Sequence, residues 1–160
     1  MEKARLDIIH YDSLSREELA AIERRANEIV YLNIPVSTEV LSRDLAEKRY
    51  GFTIYQGGAV PGKQLRIVSL GDIDVQACGG THAHFTGDVG PIILLSSERI
   101  QDGIVRLEYV SGETAVQEFQ DRNALVQEAL DIWGIDLKAL PATAKRFFDE
   151  WKDQKKEILE

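Results

Sequence analysis

The chain has 160 residues, 44% hydrophobic and 29% charged, enough for one ordinary core or a core with a small appendage. Its formal net charge of -8 excludes a surface coated in nucleic-acid-binding charge but leaves room for a local basic site. A single cysteine excludes an internal disulfide framework and fits a reducing compartment. MEKARLDIIHYD at the start carries charges inside its only apolar stretch, unlike a signal peptide, and no apolar run approaches the ~18 residues of a membrane span. A cytoplasmic chain without a membrane partner is expected.

In chain order, residues 5–11 predict a short strand. Ser15 then predicts a helix N-cap, with Glu18 closing a capping box and Leu14 and Leu19 placed as a hydrophobic staple. Leu19, Ile22, Ala26 and Ile29 recur at helical spacing and give one buried stripe. Val36, Thr38 and Val40 alternate as in a half-buried strand over 34–41. Ser42 caps a short helix through Tyr50, stopped at Gly51. GFTIYQGGAVPGKQ reads as a glycine-rich loop bordered by strands. LRIVSL and IDVQAC, joined through Gly71-Asp72, predict one hairpin; GPIILLSSERI and GIVRLEYV, joined through Gln101-Asp102-Gly103, predict a second. After Gly112 the pattern turns helical. Thr114 with Gln117 suggests a capping box, and Val116, Phe119, Val126, Leu130 and Trp133 share a face interrupted by Asn123. Gly134 ends that helix and Pro141 opens the next, whose apolar stripe is Ala144, Phe147, Phe148, Trp151 and Ile158. The last helix runs to Glu160 with no stop signal, which suggests an unnatural chain boundary. The fold class is α+β: a mostly antiparallel sheet with packed helices, then a C-terminal helical pair.

The chemistry concentrates in Cys78-Gly79-Gly80-Thr81-His82, at the end of a strand candidate. A thiolate and an imidazole at this spacing are plausible ligands for one zinc ion, and Gly79-Gly80 lets the backbone turn so that both side chains face one point. Zinc sites use at least three protein ligands, so two are a shortfall. The plainer reading is a buried cysteine and an incidental histidine. His84, on an extended segment two residues beyond His82, can point the same way as a third ligand; as a loop histidine it would simply be solvated. His10 reads as a half-buried or surface histidine. Gly57-Gly58 and Gly62-Lys63 resemble a phosphate-cradling loop only weakly; the Walker spacing is absent and no nucleotide site is expected. The loop could still approach a nucleic-acid backbone, with Lys63 and Arg66 nearby. Thr86-Gly87-Asp88 is a turn by composition, and Arg99 and Arg106 flank the second hairpin as sheet-edge charge.

These residues carry a resemblance. GDIDVQACGGTHAHFTGDVG followed by ERIQDGIVRLEYVSG resembles the C-terminal half of the editing domain of alanyl-tRNA synthetases, a domain shared with free-standing alanyl-tRNA deacylases. The pattern is carried by Cys78, Gly79, Gly80, Thr81 and His82, then Thr86, Gly87, Asp88 and Gly90, then Gly103, Arg106, Glu108 and Gly112. DIIHYDSLSREELAAIERRANEIVYLNIPV upstream is also similar to the family. YQGGAVPGK, SERIQDG and LPATAKRFFDEWKDQKKEI are similar to its archaeal branch. The resemblance implies a fragment of an archaeal-type synthetase, with residues 1–112 a partial editing domain and 113–160 the start of the helical region beyond it. It implies hydrolysis of the ester joining a wrong amino acid, serine or glycine, to the tRNA for alanine. It implies zinc held by a His-x-x-x-His pair and by the pair that maps onto Cys78 and His82.

No His-x-x-x-His occurs in the chain, so the metal site is expected to be incomplete here and the chain inactive alone. The parent's aminoacylation domain and its ATP site are not expected in these residues. By the same resemblance, Thr81 and the Gly79-Gly80 backbone border the amino-acid pocket. Lys63, Arg66, Arg99 and Arg106 are candidate tRNA phosphate contacts. The partners implied are the tRNA for alanine and the remaining synthetase domains, with a homodimer through the C-terminal helices as a further reading. A free-standing deacylase-like protein and a metal-free tRNA-binding or dimerisation module stay open as alternatives.

Overall fold

The computed structural model describes residues 3–56, 58 and 60–159. Gly57, one glycine of the weak phosphate-loop pattern, lies outside them. The elements are β1 (Ala4–Ile9), α1 (Arg16–Leu32), β2 (Val36–Ser42), α2 (Arg43–Tyr50), β3 (Gln64–Leu70), β4 (Asp74–Ala77), β5 (Ile92–Gln101), β6 (Ile104–Ser111), α3 (Gly112–Trp133) and α4 (Leu140–Leu159). Three 3-10 turns, at Phe52–Tyr55, Thr86–Val89 and Leu137–Ala139, complete the set. The class is α+β, as the sequence implies.

The sheet is divided in two. The first hairpin, β3–β4, joins β2 in a sheet of order β2-β3-β4, and the second, β5–β6, joins β1 in a sheet of order β1-β6-β5. Every pairing is antiparallel. A lone hairpin is marginal in water, and each here gains its third strand from earlier in the chain. The chain separates into two compact units, Met1–Val116 and Gln117–Glu160, with the division inside α3.

In the first unit, α1 starts as its capping box dictates. Ser15 Oγ accepts from the Glu18 backbone N–H at 3.2 Å, and Glu18 Oε2 accepts from the Ser15 N–H at 2.8 Å. The backbone bond from Ser15 holds the Glu18 carboxyl below its usual range. The helix ends on Asn33, which takes the left-handed conformation at φ +49°. The core lies under β3: Leu65 and Ile67 pack with Ala46 of α2 and with Ile54, all at most 1% exposed. Ile54 belongs to a stretch the sequence presents as loop. It is buried because the segment coils into a 3-10 turn that drops one side chain onto the sheet. Arg43 pins the segment after this turn, donating from Nε and Nη2 to Gly62 O at 3.1 and 2.9 Å, from Nη2 also to Val60 O, and from Nη1 to Tyr55 OH at 2.9 Å.

β5 is an edge strand, and α1 covers its open side with polar side chains. Asn27 accepts from the Ile92 N–H at 2.8 Å and donates to Ile92 O at 2.7 Å, copying the two bonds of a neighbouring strand. Glu23 accepts from the Leu94 N–H at 2.7 Å.

Two expectations for the C-terminal helices are corrected. Thr114 does not cap: Gly112, at φ +61°, turns β6 directly into α3, so Thr114 falls inside the first turn. The apolar stripes are also far more exposed than a buried face would be, with Phe119 64%, Phe148 53% and Trp151 54% accessible. One pair meets as expected: the Trp133 and Phe147 rings stack with centroids 6.0 Å apart.

Candidate functional site

The Cys78–His82 loop leaves β4 where the β2-β3-β4 ladder ends. Its first bond continues the ladder, the Cys78 N–H donating to Arg66 O at 3.0 Å. The Arg66 side chain then closes the loop from β3, the central strand. Its Nη1 donates to Cys78 O at 2.9 Å and to Gly80 O at 2.8 Å. Gly80 O also lies 3.1 Å from His82 Nδ1, while Arg66 Nη1 stands 3.5 Å from that nitrogen. The Gly80 N–H donates to Cys78 Sγ at 3.4 Å.

Cys78 and His82 do converge. A Cβ built on Gly80 would lie 3.5 Å from Cys78 Sγ and 4.0 Å from His82 Cε1, so both side chains flank one small volume. Both are half-buried. This thiol-plus-imidazole set suits zinc in kind but supplies two donors. Among the described residues no group of three or more His, Cys, Asp or Glu is placed to hold a metal ion. His84 is exposed, and its backbone N–H is bonded to Asp88 Oδ2 at 3.1 Å. Thr81, Gly79 and Gly80 are exposed along the turn. His10 lies apart on the chain, stacked on Tyr11 with its Nδ1 2.8 Å from Asp12 O.

Beyond His82 the chain is fastened to α1 and β2. Thr86, 5% exposed, donates from Oγ1 to Ile29 O at 2.7 Å and accepts there from the Ile34 N–H at 2.8 Å. Ile29 O is among the last carbonyls of α1, which lack a helical partner, so this hydroxyl closes the helix end. Asp88 Oδ2 accepts from the His84 and Phe85 N–H groups. Gly90 takes φ +69°, and a Cβ on it would lie 2.8 Å from Gly112 Cα, so two backbones touch where only glycine fits. Behind this fastening an apolar cavity of about 320 Å³ opens, with His82 in its wall beside Ile29, Val36, Leu70, Phe85 and Val89.

The basic candidates divide between the two sheets. Arg106 makes a two-pronged bond to Asp7, at 2.7 and 2.8 Å, which holds the Asp7 carboxyl below its usual range and raises the guanidinium above its own. Arg99 pairs with Asp102. Lys63 is exposed, and Arg66 is occupied by the loop carbonyls.

Residues 65–108, which take in most of both hairpins and the loop between them, match the family described as the Threonyl and Alanyl tRNA synthetase second additional domain. Over 99% of its length the chain is 48% identical to an alanine–tRNA ligase of Methanosphaera stadtmanae and 50% identical to one of Methanococcus vannielii. It is 53% identical, over 95% of its length, to that of Methanocella arvoryzae. The chain is thus similar, over nearly all its length, to a segment of archaeal alanine–tRNA ligases. It spans only 17–18% of the length of those ligases, and corresponds to one segment of them that carries the second additional domain.

Within that domain the loop's fastenings were harder to see from sequence than the candidate pair Cys78 and His82. Arg66 left a signal, a lone charge inside the apolar run LRIVSL. Asn27 and Glu23 left little, since they sit on a helix flank that reads as solvated.

Proposed function

We propose that this segment serves an alanine–tRNA ligase in clearing mischarged tRNA, by hydrolysing the ester between serine or glycine and the tRNA for alanine. The observation that carries this reading is the convergence of Cys78 and His82 around Gly80 inside a second additional domain. Cys78 as thiolate and His82 as neutral imidazole would contribute two ligands of a zinc site whose other ligands come from elsewhere in the ligase. When bound there, zinc supplies a Lewis acid that orients the ester or activates a water.

The chain's own residues prepare the place. Arg66 holds the turn from a rigid strand, and Thr86 and Asp88 fix its far end. The Gly79-Gly80 backbone leaves the approach to the pair free of side chains, and Thr81 borders the same opening. Lys63 is the basic candidate free of the loop and ion-pair bonds that engage Arg66, Arg99 and Arg106, and is the one suited to meet a tRNA phosphate.

The test is to place this segment in an archaeal alanine–tRNA ligase, in exchange for the matching stretch, and to measure hydrolysis of seryl-tRNA and glycyl-tRNA. The exchanged enzyme should hydrolyse both, and the 160-residue chain alone should hydrolyse neither at a useful rate. An exchanged enzyme that charges alanine normally yet clears neither substrate contradicts the proposal.

A further inference from the structure

We infer that Arg66 is a positioning residue for His82: by holding Gly80 O in place it fixes the histidine with its proton on Nδ1 and its lone pair on Nε2. The inference rests on the reading of Cys78 and His82 as a ligand pair, and goes beyond it by assigning which nitrogen is presented and what presents it.

The geometry centres on one oxygen. A backbone carbonyl has two lone pairs, and Gly80 O has two neighbours to fill them, Arg66 Nη1 at 2.8 Å and His82 Nδ1 at 3.1 Å. Nδ1 must therefore carry the hydrogen for the shorter contact to be a bond. The alternative, Nδ1 accepting from Arg66, needs a bond at 3.5 Å from an Nη1 already committed to two carbonyls at 2.8 and 2.9 Å. The closer partner wins on distance. A histidine whose Nδ1–H is tied to a carbonyl presents Nε2 to a metal or substrate, with ring orientation set by the same bond.

Arg66 suits this role because of where it sits. It lies on β3, paired to β2 through Val40, and its own carbonyl receives the Cys78 N–H. The guanidinium thus ties the first and third residues of the loop to the central strand, which keeps Gly80 O aimed at His82. Arginine does this through a planar donor set that lysine lacks. A residue so engaged is poorly placed to serve phosphate.

The test uses the 160-residue chain and two readouts. Nitrogen-15 chemical shifts of the His82 ring, read at a pH where the ring is neutral and without added metal, report the tautomer. Wild type should show the hydrogen on Nδ1, and Arg66→Met should give a mixture of the two forms while circular dichroism stays unchanged. Arg66→Lys should recover the Nδ1–H form in part. A wild-type ring with its hydrogen on Nε2, or an Arg66→Met ring identical to wild type, overturns the inference. The second readout is cobalt(II) titration, followed through the thiolate-to-cobalt absorption band. Arg66→Met should bind about 10- to 100-fold more weakly than wild type. Equal affinity counts against Arg66 as a positioning residue. Absence of the band in wild type, alongside the expected tautomer, defeats the metal reading of the pair and leaves the positioning role standing.

Discussion

Replacing Thr86 by valine keeps the shape of the side chain and deletes its hydroxyl. That hydroxyl makes two bonds, to Ile29 O at 2.7 Å and from the Ile34 N–H at 2.8 Å, and the residue is 5% exposed. Two net hydrogen bonds are worth about 2 kcal/mol, and leaving a buried donor and acceptor unpaired raises the cost toward about 4 kcal/mol. Thr86→Ser keeps the hydroxyl and loses one methyl, about 1 kcal/mol. The two substitutions therefore separate bonding from packing.

All five tyrosines lie in residues 1–116 and both tryptophans in 117–160, so near-ultraviolet tyrosine dichroism follows the first unit and tryptophan fluorescence the second. In urea, Thr86→Val should lower the tyrosine-detected midpoint by about 1–2 M at an unchanged slope, and Thr86→Ser by well under half of that. The tryptophan-detected transition should stay put if the units unfold separately. A valine variant as stable as the serine variant refutes the assignment of Thr86 as the fastener of the α1 end.

Further outcomes rest on the same geometry. Gly90→Ala should cost more than about 2 kcal/mol in the tyrosine-detected transition, because it combines a φ of +69° with a 2.8 Å approach to Gly112 Cα; a variant as stable as wild type means those backbones are not in contact. Asn27→Ala should speed hydrogen exchange at the Ile92 amide while sparing that of Leu94, which Glu23 holds; equal protection of Ile92 in both proteins sinks the strand-mimic reading. Asp7, Glu18 and Glu108 all have carboxyl pKa values lowered on folding, by bonds from Arg106, Ser15 and Arg5 respectively. Groups of this sign stabilise fully above their unfolded values, 3.8 for Asp7 and 4.5 for the glutamates, and lose that contribution as pH falls through the lower folded values. The melting temperature should therefore hold from neutral pH down to about 5 and decline below 4.5, less steeply in Asp7→Asn; a decline already complete at about pH 6 points to other groups.

The parts of the fold that were legible are those set by local chemistry. Ser15 and Glu18 specify one helix start, Gly51 and Gly134 two helix ends, and Gly71 and Gly103 two hairpin turns, and each occurs where its chemistry directs. What escaped depends on distant partners. No local signal says that the two hairpins part company, because the choice is made by β1 and β2 from earlier in the chain. Ile54 looks like loop until the face of β3 is there to receive it. Thr114 and Gln117 satisfy the cap pattern, yet Gly112 starts the helix first. At the site, the spacing of Cys78 and His82 marked them as a candidate pair, and both side chains flank the position a Gly80 Cβ would take. The brace was legible only in part: the lone charge in LRIVSL marks Arg66, but its partner Cys78 lies twelve residues on and meets it only through the β3–β4 register.

The central claim is that Cys78 and His82 hold zinc together in the intact ligase. X-ray absorption at the zinc edge, measured on an archaeal alanine–tRNA ligase carrying this segment, tests it most directly. The expected spectrum has one sulfur scatterer at about 2.3 Å with nitrogen or oxygen scatterers at about 2.0–2.1 Å, and Cys78→Ala removes the sulfur shell together with seryl-tRNA hydrolysis. A spectrum with no sulfur scatterer, or one that Cys78→Ala leaves unchanged, contradicts the claim.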